Sequence, residues 1–256
     1  MINLNIKYFV KNCFFILIFG LLISCSSNDG RPEYRERTLA AIYNNALYNL
    51  ERGRYQQAAF EFDEVERQHP YSSWARRAML MSAYTYYLQN KYDEAISSAQ
   101  RFISLHPGNK YAVYAYYLIG QSYYERISDV ARDQKITELA LESFVEIIRR
   151  YPDTDYARDA QMKVDLTMDH LAGKEMYIGR HYLKQSAFLA AINRFRSVVV
   201  DYKTTSHTPE ALHRIVEAYI SLGLMEEAKA TASVLGYNFP NSRWYKDSYE
   251  LIKSFP

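Results

Sequence analysis

The chain has 256 residues, of which 48% are hydrophobic and 15% aromatic, a composition sufficient for a folded core in one or two domains. The first 24 residues carry two of the 31 basic residues, so the remainder balances 29 basic against 29 acidic residues. This balance, without a basic stripe, argues against a nucleic-acid partner. The 25 tyrosines stand out, because tyrosine can bury its ring while its hydroxyl reaches a polar rim or a ligand.

Residues 1–24 have the pattern of a signal peptide. Lys7 and Lys11 precede an apolar or small run from Cys13 to Ile23, which is 11 residues long. Such a run is too short to span about 30 Å of hydrocarbon as a helix, but it suits the core of a secretory signal. We therefore predict that residues 1–24 are removed and do not belong to the fold.

The next residues predict a lipid anchor. Leu22-Ile23-Ser24-Cys25 resembles the lipobox of bacterial lipoproteins, with a small residue before an obligatory cysteine. That resemblance implies that Cys25 becomes the acylated N-terminus, followed by a tether over residues 25–33, and several acyl chains would make attachment effectively permanent. Position 26 is serine and not the aspartate that commonly retains lipoproteins at the inner membrane, which favours the outer membrane. The alternative is an ordinary cleavable signal with a chance cysteine.

Leu39 to Pro70 predicts a helical hairpin. Two amphipathic stretches flank the turn at Gly53, and the second carries Ala58 and Phe62 before the closing proline. An aromatic residue after a turn glycine, then an alanine, a large apolar residue and a proline form the second half of a tetratricopeptide repeat.

Further copies of this pattern follow: the second and the fifth each end 37 residues after the preceding copy, whereas the third ends 45 residues after the second. The extra residues are expected in the polar run Arg126–Thr137, between the helices of that repeat. The fourth copy has Lys203 in place of the closing proline. The predicted units are residues 39–72, 76–109, 113–154, 172–205 and 209–242, with a cap helix over 242–254.

The predicted fold of residues 34–256 is therefore all-α: a right-handed superhelix of five tetratricopeptide hairpins plus a C-terminal capping helix. Helix starts are expected at Ser72 or Ser73, at Asp153 or Thr154, and at Thr208 before Pro209. Asn241-Ser242 should start the cap helix.

The first helices of such repeats line the concave face, which predicts the binding surface. In the N-terminal half this gives a tyrosine-rich set with one cation, expected to bind an extended or helical peptide: Tyr43, Arg77, Tyr84, Tyr87, Tyr114, Tyr117 and Tyr124. Leu80 and Met176 are placed on the same face. The C-terminal half is more charged, with Arg180, Lys184, His213 and Glu217, and suggests a different partner. The alternative is that the rings only seal a tightly wound superhelix.

No catalytic constellation is evident. His69 and His106 each precede a closing proline at the same repeat position, which indicates a structural role. The other four histidines show neither metal-ligand spacing nor a nucleophile motif, and there is no phosphate-binding glycine loop. We predict a protein that is not an enzyme and has no cofactor and no metal site.

Four residue strings resemble the BamD (ComL) family of outer-membrane assembly lipoproteins: Tyr151-Pro152-Asp153-Thr154-Asp155-Tyr156-Ala157, Gly179-Arg180-His181-Tyr182-Leu183-Lys184, Ala190-Ala191-Ile192-Asn193-Arg194-Phe195, and Glu217-Ala218-Tyr219 followed by Leu222-Gly223. The resemblance covers essentially the whole chain. It implies a subunit of the β-barrel assembly machinery on the periplasmic face of the outer membrane. Its C-terminal repeats, with Arg180, Lys184, His213 and Glu217, would dock on the BamA-type barrel subunit. Its N-terminal repeats would be available to other assembly lipoproteins or to unfolded outer-membrane proteins.

Two other functions fit a lipid-anchored repeat protein. One is a scaffold that steers enzymes of cell-wall synthesis or hydrolysis. The other is a coordinator of wall constriction, but such proteins usually carry an N-terminal coiled coil, for which Ser26 to Leu39 leaves no room.

Overall fold

A computed structural model describes residues 37–255; the predicted signal peptide, Cys25 and the tether lie outside this range. Within it the chain forms eleven α-helices and no strand. The helices are α1 (Leu39–Glu51), α2 (Tyr55–Gln68), α3 (Ser73–Leu88), α4 (Tyr92–Leu105), α5 (Ala112–Tyr124), α6 (Lys135–Arg150), α7 (Asp155–Lys184), α8 (Phe188–Asp201), α9 (Thr208–Ser221), α10 (Met225–Asn238) and α11 (Arg243–Lys253). The predicted fold class, a superhelix of tetratricopeptide hairpins, is confirmed.

Consecutive helices pack as five hairpins, and α11 packs on α9 and α10. The cores of the first four hairpins are completed by the first helix of the next hairpin: Ala78 of α3 joins the core of the first, and Ala115 of α5 joins that of the second. The alanine and phenylalanine positions of the repeat supply the buried centres, such as Ala58 with Phe62 and Ala191 with Phe195. The small residue lets the two helices approach, and the ring fills the space between them.

The second helices of four hairpins end in the same backbone geometry. Their C-cap residues His69, His106, Tyr151 and Phe239 have φ between −137° and −134° and ψ between 51° and 56°. Each cap N–H bonds to a carbonyl of the last helical turn. His69 and His106 thus occupy equivalent turn positions, as the repeat register predicts.

Three of the predicted helix starts have the expected side-chain cap. Ser72 and Thr154 accept hydrogen bonds from the N–H groups of Ala75 and Ala157, and Ser242 accepts one from that of Trp244. Helix α9 starts at Thr208 as predicted, but the Thr208 side chain does not cap it. His207 is the N-cap of α9, and the Thr208 hydroxyl donates instead to the carbonyls of Tyr202 and Lys203, closing the preceding turn.

Helix α7 is longer than the repeat pattern predicts. The spacing places the first helix of the fourth repeat from residue 172, whereas the structure has one 30-residue helix from Asp155 to Lys184. Its N-terminal half contributes Ala157, Ala160 and Val164 to the core of the third hairpin, and its C-terminal half contributes Ala172 and Met176 to the fourth. One continuous helix therefore joins two repeats.

The connection Glu125–Gln134 lies where the inserted residues are predicted. The Gln134 amide donates to the carbonyls of Asp129 and Arg132, and the Lys174 Nζ donates to those of Ala131 and Arg132. These bonds fix the connection against α7.

We expect Gly179→Ala to destabilise the fourth hairpin. A Cβ at Gly179 would lie 2.5 Å from the Phe195 ring, which is fully buried. The ring has to shift, at a cost of about 1–3 kcal/mol that exceeds the gain of about 1 kcal/mol in helix propensity. Thermal unfolding measures the effect, with Gly108→Ala as the matched control because its Cβ would meet nothing within 4 Å. Equal melting temperatures for the two variants would contradict this packing.

Candidate functional site

Helix α5 supplies most of an aromatic cluster between the second and third hairpins. Tyr114, Tyr117 and Tyr124 are spaced three and seven residues apart, so they lie on one face of the helix. Five ring pairs connect the group, with centroid distances from 5.2 to 6.5 Å: Tyr84–Tyr114, Tyr114–Tyr156, Tyr117–Tyr156, Tyr117–Phe144 and Tyr124–Phe144. We call Tyr84, Tyr114, Tyr117, Tyr124 and Tyr156 the tyrosine cluster.

Charged side chains surround the cluster. The Tyr117 hydroxyl donates to Asp159 at 2.6 Å, and the Lys163 ammonium lies 3.5 Å from the same carboxylate and 5.0 Å from the centre of the Tyr124 ring. On the other side, the Tyr87 hydroxyl bonds to Glu125 at 3.2 Å. The surface thus offers aromatic faces with both charge signs beside them, a combination that suits peptide recognition.

Two hydroxyls of the cluster, those of Tyr114 and Tyr117, have raised pKa values. Burial raises the pKa of Tyr114, with a further rise from neighbouring Tyr84 and Tyr156. Burial and the hydrogen bond to Asp159 raise the pKa of Tyr117. Both hydroxyls are therefore neutral hydrogen-bond donors at any physiological pH.

Tyr43 and Arg77, two of the predicted groove residues, take no part in the ring contacts that define this cluster. The Tyr43 ring packs edge-on against Phe62 at 5.6 Å and Trp74 at 4.7 Å. Arg77 lines a separate cavity of about 230 Å³. Arg77 lies seven residues before Tyr84 in α3, on the same face of that helix. Leu80 and Met176, also placed on the concave face, are buried in the cores of their hairpins.

A second group of charged residues joins α7, α9 and α11. Arg180 forms two hydrogen bonds with Glu210, at 2.9 and 2.6 Å, and Arg214 bonds to Glu210 at 3.3 Å and to Glu217 at 2.8 Å. The Arg214 guanidinium also lies 5.3 Å from the centre of the Trp244 ring. We call Arg180, Glu210, Arg214 and Glu217 the C-terminal ion network.

His213 does not present a docking surface, contrary to the prediction. It is 5% exposed, because its ring packs 5.2 Å from Trp244 and its Nδ1 lies 2.8 Å from the Ser248 hydroxyl. Its Nε2 lies 3.4 Å from Glu217. The residue positions α11 and the ion network. Lys184, in the last turn of α7, is exposed and makes no hydrogen bond or ion pair within the described residues.

Residues 35–235 match the family described as YfiO, outer membrane lipoprotein. The relatives include three proteins named outer membrane protein assembly factor BamD. That of Caulobacter vibrioides is 51% identical over 93% of this chain and 78% of its own, and that of Rickettsia prowazekii is 46% identical over 94% and 96%. That of Neisseria meningitidis serogroup A is 29% identical over 94% and 96%.

The chain belongs to the BamD (YfiO) family. The resemblance carried by the four residue strings is thus confirmed. No cluster of His, Cys, Asp or Glu suited to a metal ion occurs within residues 37–255. None of the helices in that range combines the length and hydrophobicity that a membrane span requires.

Several site residues of this BamD-family chain were missed from the sequence. Tyr156 belongs to the tyrosine cluster, and Asp159 and Lys163 lie beside it. All three are in the half of α7 that the repeat register leaves outside any repeat. Glu210 and Arg214 were also missed, and they link the predicted residues Arg180 and Glu217. The signal for Glu210 was its place in the first turn of α9, and its partner Arg180 is 30 residues earlier in the chain.

We expect the ion network to lose its contribution to the stability of the protein at acid pH. Burial alone would raise the pKa of Glu210, but hydrogen bonds and charge from Arg180 and Arg214 outweigh it and lower the pKa below its usual 4.5. Glu210 therefore stabilises the folded state at pH values above 4.5, and this contribution is lost as the pH falls through the lowered pKa. Glu210→Gln should cost about 1–2 kcal/mol at pH 7 after allowance for solvent screening. The difference between the two proteins should narrow below about pH 4 in thermal unfolding; an equal difference from pH 7 to 3 would contradict the assignment.

Proposed function

We propose that this chain is an outer-membrane protein assembly factor, acting as a non-enzymatic scaffold of the β-barrel assembly machinery. The observation that carries the proposal is 51% identity over 93% of the chain with a protein named for that role. The fold supports it, because stacked hairpins present extended surfaces to several partners at once. Two such surfaces, the tyrosine cluster and the C-terminal ion network, include opposite ends of α7 through Tyr156 and Arg180.

The tyrosine cluster is the proposed site for unfolded outer-membrane proteins. Large, stiff rings bind a peptide with little loss of side-chain entropy, and strands of barrel proteins alternate apolar and polar residues. Tyr84, Tyr114 and Tyr117 would contact apolar side chains. Tyr87 with Glu125, and Asp159 with Lys163, would bond to the polar side chains or backbone on either side.

The barrel subunit is proposed to dock at the C-terminal hairpins. Arg180 keeps 40% of its side chain exposed despite its bonds to Glu210, and Glu217 keeps 29%. Together with Lys184 they form a charged edge that a polar interface can use. His213 would act from beneath this edge by fixing Glu217 and α11.

The anchor is proposed at Cys25, on the periplasmic face of the outer membrane. A diacylated and N-acylated cysteine would hold the chain there without a membrane-spanning helix. We expect Cys25→Ala to accumulate as an unlipidated precursor that retains the 24-residue leader. Mass spectrometry of the purified protein measures this, and a normally acylated product from the variant would contradict the lipobox assignment.

Purification of the native complex tests the function. The chain is extracted from outer membranes in mild detergent, and co-purifying proteins are identified by mass spectrometry. We expect the barrel subunit of the assembly machinery together with unfolded outer-membrane proteins, and lower levels of barrel proteins in the outer membrane after depletion. Recovery of cell-wall synthases or hydrolases in place of the barrel subunit would contradict the proposal.

A further inference from the structure

Two loops between hairpins expose large aromatic side chains at one edge of the protein. Tyr71, in the loop before α3, is 99% exposed, Trp74 in the first turn of α3 is 37% exposed, and Tyr111 in the loop before α5 is 41% exposed. Neighbouring cations are Arg76, Arg77 and Lys110. We call these six residues the loop-edge patch. Tryptophan and tyrosine beside Arg and Lys are typical of surfaces that meet a lipid headgroup region.

The cations of the loop-edge patch are uncompensated. Arg76, Arg77 and Lys110 line the cavity of about 230 Å³ with Ser73 and Asn109, and none of its described lining residues is acidic. None of the three cations forms a hydrogen bond or ion pair within residues 37–255; Lys110 only lies 4.9 Å from the centre of the Tyr111 ring. The first turn of α3 has no acidic residue either, so its helix dipole adds to the positive potential. The cavity therefore favours an anion.

The position of the patch brings it within reach of a membrane. Trp74 packs on Tyr43, which is only four residues from the start of α1 at Leu39. The thirteen residues from Cys25 to Arg37 span at most about 45 Å when extended. The reach of the patch to the membrane rests on the lipid anchor at Cys25, which is part of the proposed function. With Cys25 in the outer membrane, the patch cannot move far from its surface.

We propose that the loop-edge patch binds the phosphate headgroups of anionic phospholipids in the membrane that carries the anchor. The cavity of about 230 Å³ has room for a phosphate group, which the three cations that line it would contact. The rings of Tyr71 and Tyr111 are exposed at loop tips, where they can enter the headgroup layer. An acidic peptide would satisfy the cations but would leave these rings in water.

The two tryptophans of the chain make a direct test possible. The full-length lipidated protein is first verified by mass spectrometry, so that a missing anchor is recognised separately from a missing headgroup contact. It is then reconstituted in vesicles with brominated acyl chains, which quench nearby tryptophan fluorescence. Trp244→Phe leaves Trp74 as the reporter, and Trp74→Phe leaves Trp244, in the C-terminal cap helix, as the matched control.

We expect Trp74 to be quenched in phosphatidylglycerol vesicles and much less in phosphatidylcholine vesicles, while Trp244 is quenched in neither. Combined Arg76→Gln, Arg77→Gln and Lys110→Gln should remove this preference for phosphatidylglycerol. Each cation that is lost should lower the equilibrium constant for contact with the anionic lipid about fivefold. Binding of a barrel-protein peptide to the tyrosine cluster should be unchanged in the variant that combines only Arg76→Gln with Lys110→Gln, which separates this proposal from the substrate site. Quenching of Trp74 that is equal in both lipids, or unchanged in the triple variant, would overturn it. So would binding of a polyglutamate peptide that depends on the three cations while Trp74 remains unquenched.

Discussion

Replacing Phe144 by alanine is expected to lower the free energy of unfolding by about 3–5 kcal/mol. Phe144 is fully buried in α6. Its ring supports Tyr117 at 6.4 Å and Tyr124 at 6.0 Å, and a Cβ at Gly120 would lie 2.9 Å from it. Loss of the ring leaves a cavity that α5 cannot fill without moving. The variant should therefore lose stability and peptide binding together.

Chemical denaturation monitored by circular dichroism measures the stability, and Phe60→Ala is the matched control. Phe60 lies in α2, the equivalent helix of the first hairpin, but is 48% exposed. Phe60→Ala should lower the free energy of unfolding by about 1 kcal/mol, because nearly half of the side chain is already in water. A Phe144 variant that unfolds at the wild-type denaturant concentration would show that α5 is held by other contacts.

The repeat core could be predicted because its signals are local. Ala58 and Phe62, like Ala191 and Phe195, recur at fixed spacing from a turn, and each pair meets the facing helix of the same hairpin. Register within a hairpin fixes which residues are buried. The same reasoning placed Tyr114, Tyr117 and Tyr124 on one face of α5.

The surface could be predicted less well because it depends on neighbouring repeats. Tyr156 contacts Tyr117, and Asp159 accepts a hydrogen bond from it, only because α7 continues through residues 155–171 without a break. No spacing rule of the repeat requires that continuation. His213 had the register of an exposed groove residue. It is buried because Trp244 and Ser248 of α11 pack against it. The spacing within a single repeat does not predict where the cap helix packs.

Combined Tyr84→Ala, Tyr87→Ala and Tyr117→Ala is expected to weaken binding of a barrel-protein peptide at least tenfold, because aromatic residues dominate the binding energy of such surfaces. Tyr114 is kept, since its ring contacts both Tyr84 and Tyr156 and packs against the core of the second hairpin. Fluorescence anisotropy of a labelled peptide measures the affinity, and circular dichroism at the same temperature confirms folding.

Two further variants separate the possible causes of that loss. The corresponding triple change to phenylalanine keeps the rings but removes the hydroxyl bonds of Tyr87 to Glu125 and of Tyr117 to Asp159. It should retain most of the affinity if the ring faces bind the peptide. Tyr237→Ala with Tyr249→Ala removes two exposed tyrosines from α10 and α11 and should leave the affinity unchanged. If the alanine variant of the cluster binds as tightly as this control, the rings only seal the packing between hairpins, and the substrate surface must be sought elsewhere.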